Sequence, residues 1–169
     1  MGNYFFKITA RAIVLGLFIS LIQSCNNKGG ARHGCSDPNF TATVNGNASF
    51  GACGAYAYPV MKAYAIIGKS NNDWITIGFL TNKQNTIAIG TYQVNNGATV
   101  PAGQPFAIDI VYKEGSSDLS HTYLSESGTI QLTEVSSKNY KGIFTASLKQ
   151  MKGGSEMRTI SATFNVNYK

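Results

Sequence analysis

From Arg158 to Tyr168 the chain alternates with a period of two. Ile160, Ala162, Phe164, Val166 and Tyr168 fall on one parity, and Thr159, Ser161, Thr163, Asn165 and Asn167 on the other. A helix would wind both sets around its surface, whereas an extended strand sends them to opposite faces. One apolar face and one wet face is the pattern of an antiparallel sheet with a core on one side. The same alternation returns along most of the chain, so the fold it predicts is all-β. Composition agrees. Only 13% of residues are charged, against roughly 25% in an average soluble domain, and Gly, Ser, Thr and Asn fill the gap. Long helical bundles, which draw about half their residues from Ala, Glu, Lys, Leu and Arg, are excluded. So is a disordered tail, which has few aromatic and β-branched residues.

The turn signals recur every 8–12 positions, as in a sandwich or barrel. Phe40–Val44 reads as a strand and Asn45-Gly46 as a hairpin turn into residues 48–50. After the Gly-rich bend at 51–54, residues 62–68 and 74–80 pair across the polar turn 69–73. Residues 86–89 and 91–94 follow, broken at Gly90. A loop at 95–105 contains Pro101 and Pro105 and so cannot be a central strand. Residues 106–113, 121–124, 128–135, 140–148 and 158–168 complete the set, with the last three as a meander turning at 136–139 and 152–155. The expected fold is therefore all-β: an antiparallel β-sandwich or partly closed β-barrel of about 9–10 strands.

The N-terminus carries Lys7 and Arg11, then the uncharged run Ala12–Ile22. As a helix it would rise about 16 Å, short of the roughly 30 Å hydrocarbon core of a bilayer. A basic start followed by a short apolar run is the pattern of a secretory signal peptide. Leu21-Ile22-Gln23-Ser24-Cys25 resembles the lipobox of bacterial lipoproteins, with Gln23 a departure from its usual small or aliphatic residue. That resemblance implies cleavage before Cys25 and lipidation of its thiol; an uncleaved signal anchor ending at Cys25 is the alternative. Two or three acyl chains would hold the protein firmly, since each buried CH₂ contributes about 0.8 kcal/mol. The expected organisation is a lipoprotein signal peptide at 1–24, a lipidated flexible tether at 25–38 and a single β domain at 39–169. Loss of Lys7 and Arg11 with the signal lowers the formal net charge from +6 to +4, and no basic face of the kind that binds nucleic acid is left. Lys28, Arg32 and His33 would lie near anionic headgroups, or simply solubilise the tether.

With Cys25 assigned to lipid, Cys35 and Cys53 form an even pair in an oxidising compartment, and a disulfide is expected between them. It would close a loop of 17 intervening residues. The competing arrangement, a metal site of His33, Cys35 and Asp37, lacks a fourth ligand at the usual spacing, so no metal is expected.

The tail SGTIQLTEV, then YKGIFTASL, then RTISATFNVNY, together with FTATVNG near residue 40, resembles an uncharacterised family of small all-β lipoproteins common in Bacteroidota. The resemblance covers most of residues 40–168. It implies a β fold and a place in the cell envelope, and it carries no functional residue over.

Signs of catalysis are few. A triad of a loop serine, His121 and Asp109 or Asp118 can be drawn, but no nucleophile-elbow motif supports it; His121 reads as a surface histidine. The eight acids are scattered, and most lie beside turns. Asp109 is the exception, mid-strand in FAIDIVYK: alternation sets it opposite Phe106, Ile108, Ile110 and Tyr112. It reads as an outward residue that disfavours edge aggregation, or as a ligand contact inside a barrel. Gly51-Ala52-Cys53-Gly54 lacks the ending of a phosphate loop and reads as a bend. Trp74 and Tyr56 are the aromatics most worth testing as binding residues. No catalytic residue, cofactor or metal ligand is expected. The function expected is a non-enzymatic binding or interaction module, anchored at Cys25 in the bacterial cell envelope, outer membrane favoured. Its partner would be an envelope protein or a glycan. The alternative is a lipocalin-like carrier of a small apolar ligand.

Overall fold

The computed structural model describes residues 37–46, 48–60, 63–80, 87–115 and 118–169. The expected signal peptide, Cys25, most of the expected tether, His33 and Cys35 lie outside the described residues. Ten strands form in chain order: β1 (Phe40–Val44), β2 (Ala48–Ala52), β3 (Tyr56–Val60), β4 (Ala63–Ser70), β5 (Asp73–Leu80), β6 (Gly90–Val94), β7 (Ala107–Lys113), β8 (Thr122–Val135), β9 (Asn139–Gln150) and β10 (Met157–Tyr168). A single 3₁₀ turn, Leu119–His121, precedes β8.

Seven of these strands close a ring in the order β10, β3, β4, β5, β7, β8, β9 and back to β10. The other three lie outside it: β1 pairs with β10, β2 with β1, and β6 with β8. Strand length explains this geometry. β8 and β10 are each long enough to serve two partners along one edge. β8 pairs with β7 through residues 122–124 and with β6 through 128–132. β10 pairs with β1 through 160–164 and with β3 through Asn167 and Tyr168. The result is an all-β barrel flanked by a broad sheet, β2-β1-β10-β9-β8-β6, whose inner face supplies much of the core.

That core is filled by rings and branched chains. The Phe40 ring meets Phe50 at 5.7 Å, Phe164 at 6.0 Å and Phe144 at 6.3 Å between centroids. Phe79, Phe106, Ile75, Ile77, Ile108, Ile110 and Ile130 are fully buried with them. β10 follows its sequence parity closely: Ile160, Ala162, Phe164 and Val166 are buried, and the residues between them are exposed. The Asn45-Gly46 hairpin forms as read, with both residues at positive φ (52° and 75°) as a two-residue hairpin turn requires.

Four local readings need correction. The β10–β3 join is parallel, so the barrel is not antiparallel throughout. β3 has no counterpart in the sequence reading; it is a strand of five residues that carries Pro59, a residue unable to donate to a ladder. Residues 87–89 form no strand. Residues 121–124 and 128–135 are one strand, not two. The polar break Glu126-Ser127 is absorbed by a register shift between Ser125 and Ser127, so β8 crosses from one sheet to the other without a loop.

Candidate functional site

Three features stand out from the packing: an ionic cluster at one end of the barrel, a buried carboxyl group, and a charge-free outer face.

The cluster is built where the start of β10 meets the end of β7 and the start of β8. Arg158 shares the parity of Ile160 and therefore points inward, with its side chain only 19% exposed. Its guanidinium bonds Glu156 and lies 3.3 Å from Glu114. It also lies over the Tyr123 ring, 4.9 Å from the centroid. The Tyr123 hydroxyl donates to Glu156 at 3.0 Å. Tyr123 stacks on Tyr112 at 5.9 Å, and the Tyr112 hydroxyl reaches Asp73 at 3.5 Å. The bond from Tyr123, and then those from Arg158, hold Glu156 below the usual carboxylate range. Burial, and then the neighbouring Asp73 and Glu114, push the Tyr112 hydroxyl up. Glu156 thus accepts from both Tyr123 and Arg158, and with Glu114 on the same guanidinium the cluster ties the start of β10 to the end of β7 and the start of β8. The inward parity of Arg158 was the sequence signal for it.

Asp109 points away from the barrel core, opposite Ile108 and Ile110, as alternation requires. The expectation of an exposed anti-aggregation residue fails, however, because β7 lies between β5 and β8 and Asp109 is buried at 5% exposure. The connection Asn95–Pro105 folds over it. A Cβ placed on Gly97 would stand 3.0 Å from Asp109 Oδ2 and 2.8 Å from Leu80 Cδ1. The carboxyl accepts hydrogen bonds from the backbone N–H of Gly78 and from its own, yet burial dominates and raises its pKa to about 7. Asn and Gln side chains order the covering segment. Asn95 Oδ1 accepts from the Gly97 amide at 2.9 Å, and Asn95 Nδ2 donates to Thr99 O at 2.7 Å. Gln104 bonds both the N–H and the C=O of Gln93, so its amide stands in for a missing strand along the free edge of β6. Ser125 Oγ accepts from the Ile110 amide at 2.8 Å and donates to Asn95 O.

The third feature is the outer face of the broad sheet. Register aligns its outward residues into ranks across β1, β10, β9, β8 and β6. One rank reads Thr41, Thr163, Ile143, Gln131, Thr91; the next reads Thr43, Ser161, Thr145, Thr129, Gln93. A shorter third rank is Thr159, Ser147, Ser127. None of these side chains is charged, and Ile143 stands 48% exposed among them. Neighbouring hydroxyls come within reach of one another, as with Thr145 and Ser161 at 3.2 Å. Lys141 opposite Glu134 bounds the ranks on one side, and the Lys149–Glu126 pair at 3.8 Å bounds them on the other. An open depression of about 950 Å³ runs over this face between Pro38, Asn71 and Thr91. Sequence parity had shown these residues as a wet face; the pairing of distant strands turned them into one surface.

The other sequence candidates are dispersed. His121 is exposed on the 3₁₀ turn, and Asp118 directs its carboxylate to Ser120, accepting from its amide at 3.3 Å and its hydroxyl at 2.9 Å. Asp109 lies under the covering segment, bonded to backbone amides, and is not part of that turn. Trp74 and Tyr56 are half-buried, each with a lysine ammonium over its ring: Lys69 at 4.5 Å and Lys169 at 4.3 Å. Cys53 is exposed on the bend after β2, with its Sγ 3.4 Å from Asp37 O. Among the described residues no group of three or more His, Cys, Asp or Glu side chains could hold a metal ion. Comparison with protein-family models, curated proteins and solved structures gives no match to this chain.

Proposed function

We propose that this protein is a lipid-anchored, non-enzymatic binding module of the bacterial cell envelope, and that its charge-free face takes a neutral polysaccharide laid across the strands. It would belong with the small all-β lipoproteins of Bacteroidota that its tail resembles, with outer-membrane anchoring through Cys25. The observation that carries the reading is the three-rank surface of Thr, Ser and Gln bounded by charged residues. Hydroxyl and amide groups both donate and accept, which suits a polymer whose own hydroxyls do the same and carry no charge for Arg or Lys to pair with. Strands are spaced at about 4.7–4.9 Å, close to the advance of one sugar ring in an extended chain, so each strand would meet one unit. Threonine methyls and Ile143 offer apolar contact to the C–H faces of the rings. The rings of Phe40, Phe79, Phe106 and Phe164 occupy the interior, which favours recognition at the surface over a carrier role.

The anchor and the cysteine pair fit the same setting. Two bonds from Asn39 to Ala55 and the contact of Asp37 with Cys53 bring the chain just after Cys35 alongside Cys53. Cys53 has a further partner besides Asp37, and this closeness of the two chain segments favours the Cys35–Cys53 disulfide.

A photoreactive residue at Thr145 in the full-length protein, irradiated in intact envelope, tests the reading. Capture of neutral glycan, with mass spectrometry placing a lipidated N-terminus at Cys25, is the expected result. Captured material consisting only of lipid would overturn the binding role, and a protein captured in place of glycan would overturn the choice of ligand.

A further inference from the structure

We propose that the segment Asn95–Pro105 is a pH-sensitive strap, held down over the uncharged form of Asp109 and lifted from the free edge of β6 when Asp109 ionises. The inference does not depend on which ligand the outer face binds. It rests on the geometry of the segment and on the neutrality of the described groups that face the carboxylate.

The groups that face Asp109 are neutral on every described element packed against it. β5 presents the Gly78 amide and Leu80, the segment presents Gly97, and β8 presents Ser125, whose hydroxyl is already committed to Ile110 and Asn95. Burial raises its pKa, against the lowering by two backbone hydrogen bonds. A buried carboxylate without a cation is costly, and the chain can relieve that cost in one inexpensive way. The hydrogen bonds seen to hold Asn95 and Gln104 to the barrel are those of the Asn95 amide to Ile108 O at 2.9 Å, of Ser125 to Asn95 O, and the two between Gln104 and Gln93. Lifting it breaks these while leaving the β7 ladder intact and Asp109 in water.

The closed form keeps its proton up to about pH 7, whereas a solvated carboxyl loses it near 3.8. Opening therefore becomes about tenfold more favourable per pH unit between those limits and levels off above them. The consequence is structural. Gln104 is the cap on the β6 edge, so lifting the strap uncovers the N–H and C=O of Gln93, and an uncovered edge accepts an added strand. Gln93 is also the last residue of the second surface rank, which ties the strap to the outer face.

Amide hydrogen exchange on the full mature chain from pH 4 to 9, expressed as protection factors, tests this. The Gln93 and Asn95 amides should be at least tenfold less protected than the barrel amide of Ile130 at pH 7. Their protection should fall about tenfold per unit between pH 4 and 7, then level. Asp109→Asn should keep the strap protected across the range. Gly97→Ala, which crowds Leu80 and Asp109, should lose protection at every pH. Equal protection of strap and barrel at each pH would overturn the proposal, as would the same slope in Asp109→Asn. The wild-type series decides the matter even if a variant does not fold. Glycan binding is not read in this experiment, so its failure leaves the outer-face reading untouched.

Discussion

The ring of Phe164 packs directly on Gly142 across the β10–β9 pair. A Cβ on Gly142 would stand 2.8 Å from Phe164 Cζ and 2.4 Å from the backbone oxygen of Gln131. Glycine normally weakens a strand, and here the close approach explains its presence. Gly142→Ala should therefore destabilise the domain, by about 1–3 kcal/mol as for other overpacked cores. Urea denaturation measures this. Phe164→Leu in the same chain should recover only part of the loss, because the Gln131 carbonyl cannot move away. An alanine variant as stable as the parent would contradict the packing.

Asp109 predicts a global pH dependence as well as a local one. Its pKa is raised by burial to about 7 in the fold and returns to 3.8 on unfolding. The native state thus binds the extra proton between these values. Stability from this group is complete below 3.8, falls about tenfold in equilibrium constant per pH unit up to about 7, and is lost above. Chemical denaturation at several pH values should show that slope in the parent. Asp109→Asn should lack it and be the more stable of the two at pH 8.

Asn39 clamps Ala55 through both main-chain groups, donating to its carbonyl at 2.8 Å and accepting from its amide at 3.1 Å. Asn39→Ala should cost about 1–3 kcal/mol, as expected when a partly buried pair loses its partner. Asn39→Asp keeps the acceptor alone and should fall between. Loss of exchange protection confined to the Ala55 region would locate the effect.

In the ionic cluster the Tyr123 hydroxyl holds Glu156 low by its hydrogen bond, and Arg158 does so by a hydrogen bond and by its charge. A carboxyl ¹³C titration should therefore show the Glu156 pKa moving upward both in Tyr123→Phe and in Arg158→Met. Rise in the arginine variant alone would show that charge, not the hydrogen bond, sets it.

If Cys35 and Cys53 are joined, thiol titration under denaturing, non-reducing conditions finds no free thiol. Reduction should then lower stability by about 3 kcal/mol in the chain-entropy account of a loop this long. Two titratable thiols would remove the bridge.

Much of the fold was legible locally. The parity of residues 158–168 gave β10 and its buried face, and Asn45-Gly46 gave the first hairpin, because both depend only on neighbours in the chain. The parallel β10–β3 contact was illegible, since only two residue pairs join strands more than a hundred positions apart. The single strand β8 was hidden by Glu126-Ser127, a break whose meaning depends on the neighbouring strands. Asp109 shows the division within one residue: alternation placed its side chain outward, and the covering segment decided that outward meant buried.

The sequence by itself determined an all-β chain and which side chains face away from its core, because alternation is a property of each strand alone. Tertiary structure decided that β8 and β10 each serve two partners and so close a barrel. It also decided that Thr41, Thr163, Ile143, Gln131 and Thr91 form one rank, although they are scattered over more than a hundred positions. Register between distant strands is set by the packing of the whole core, and no stretch of neighbours contains it.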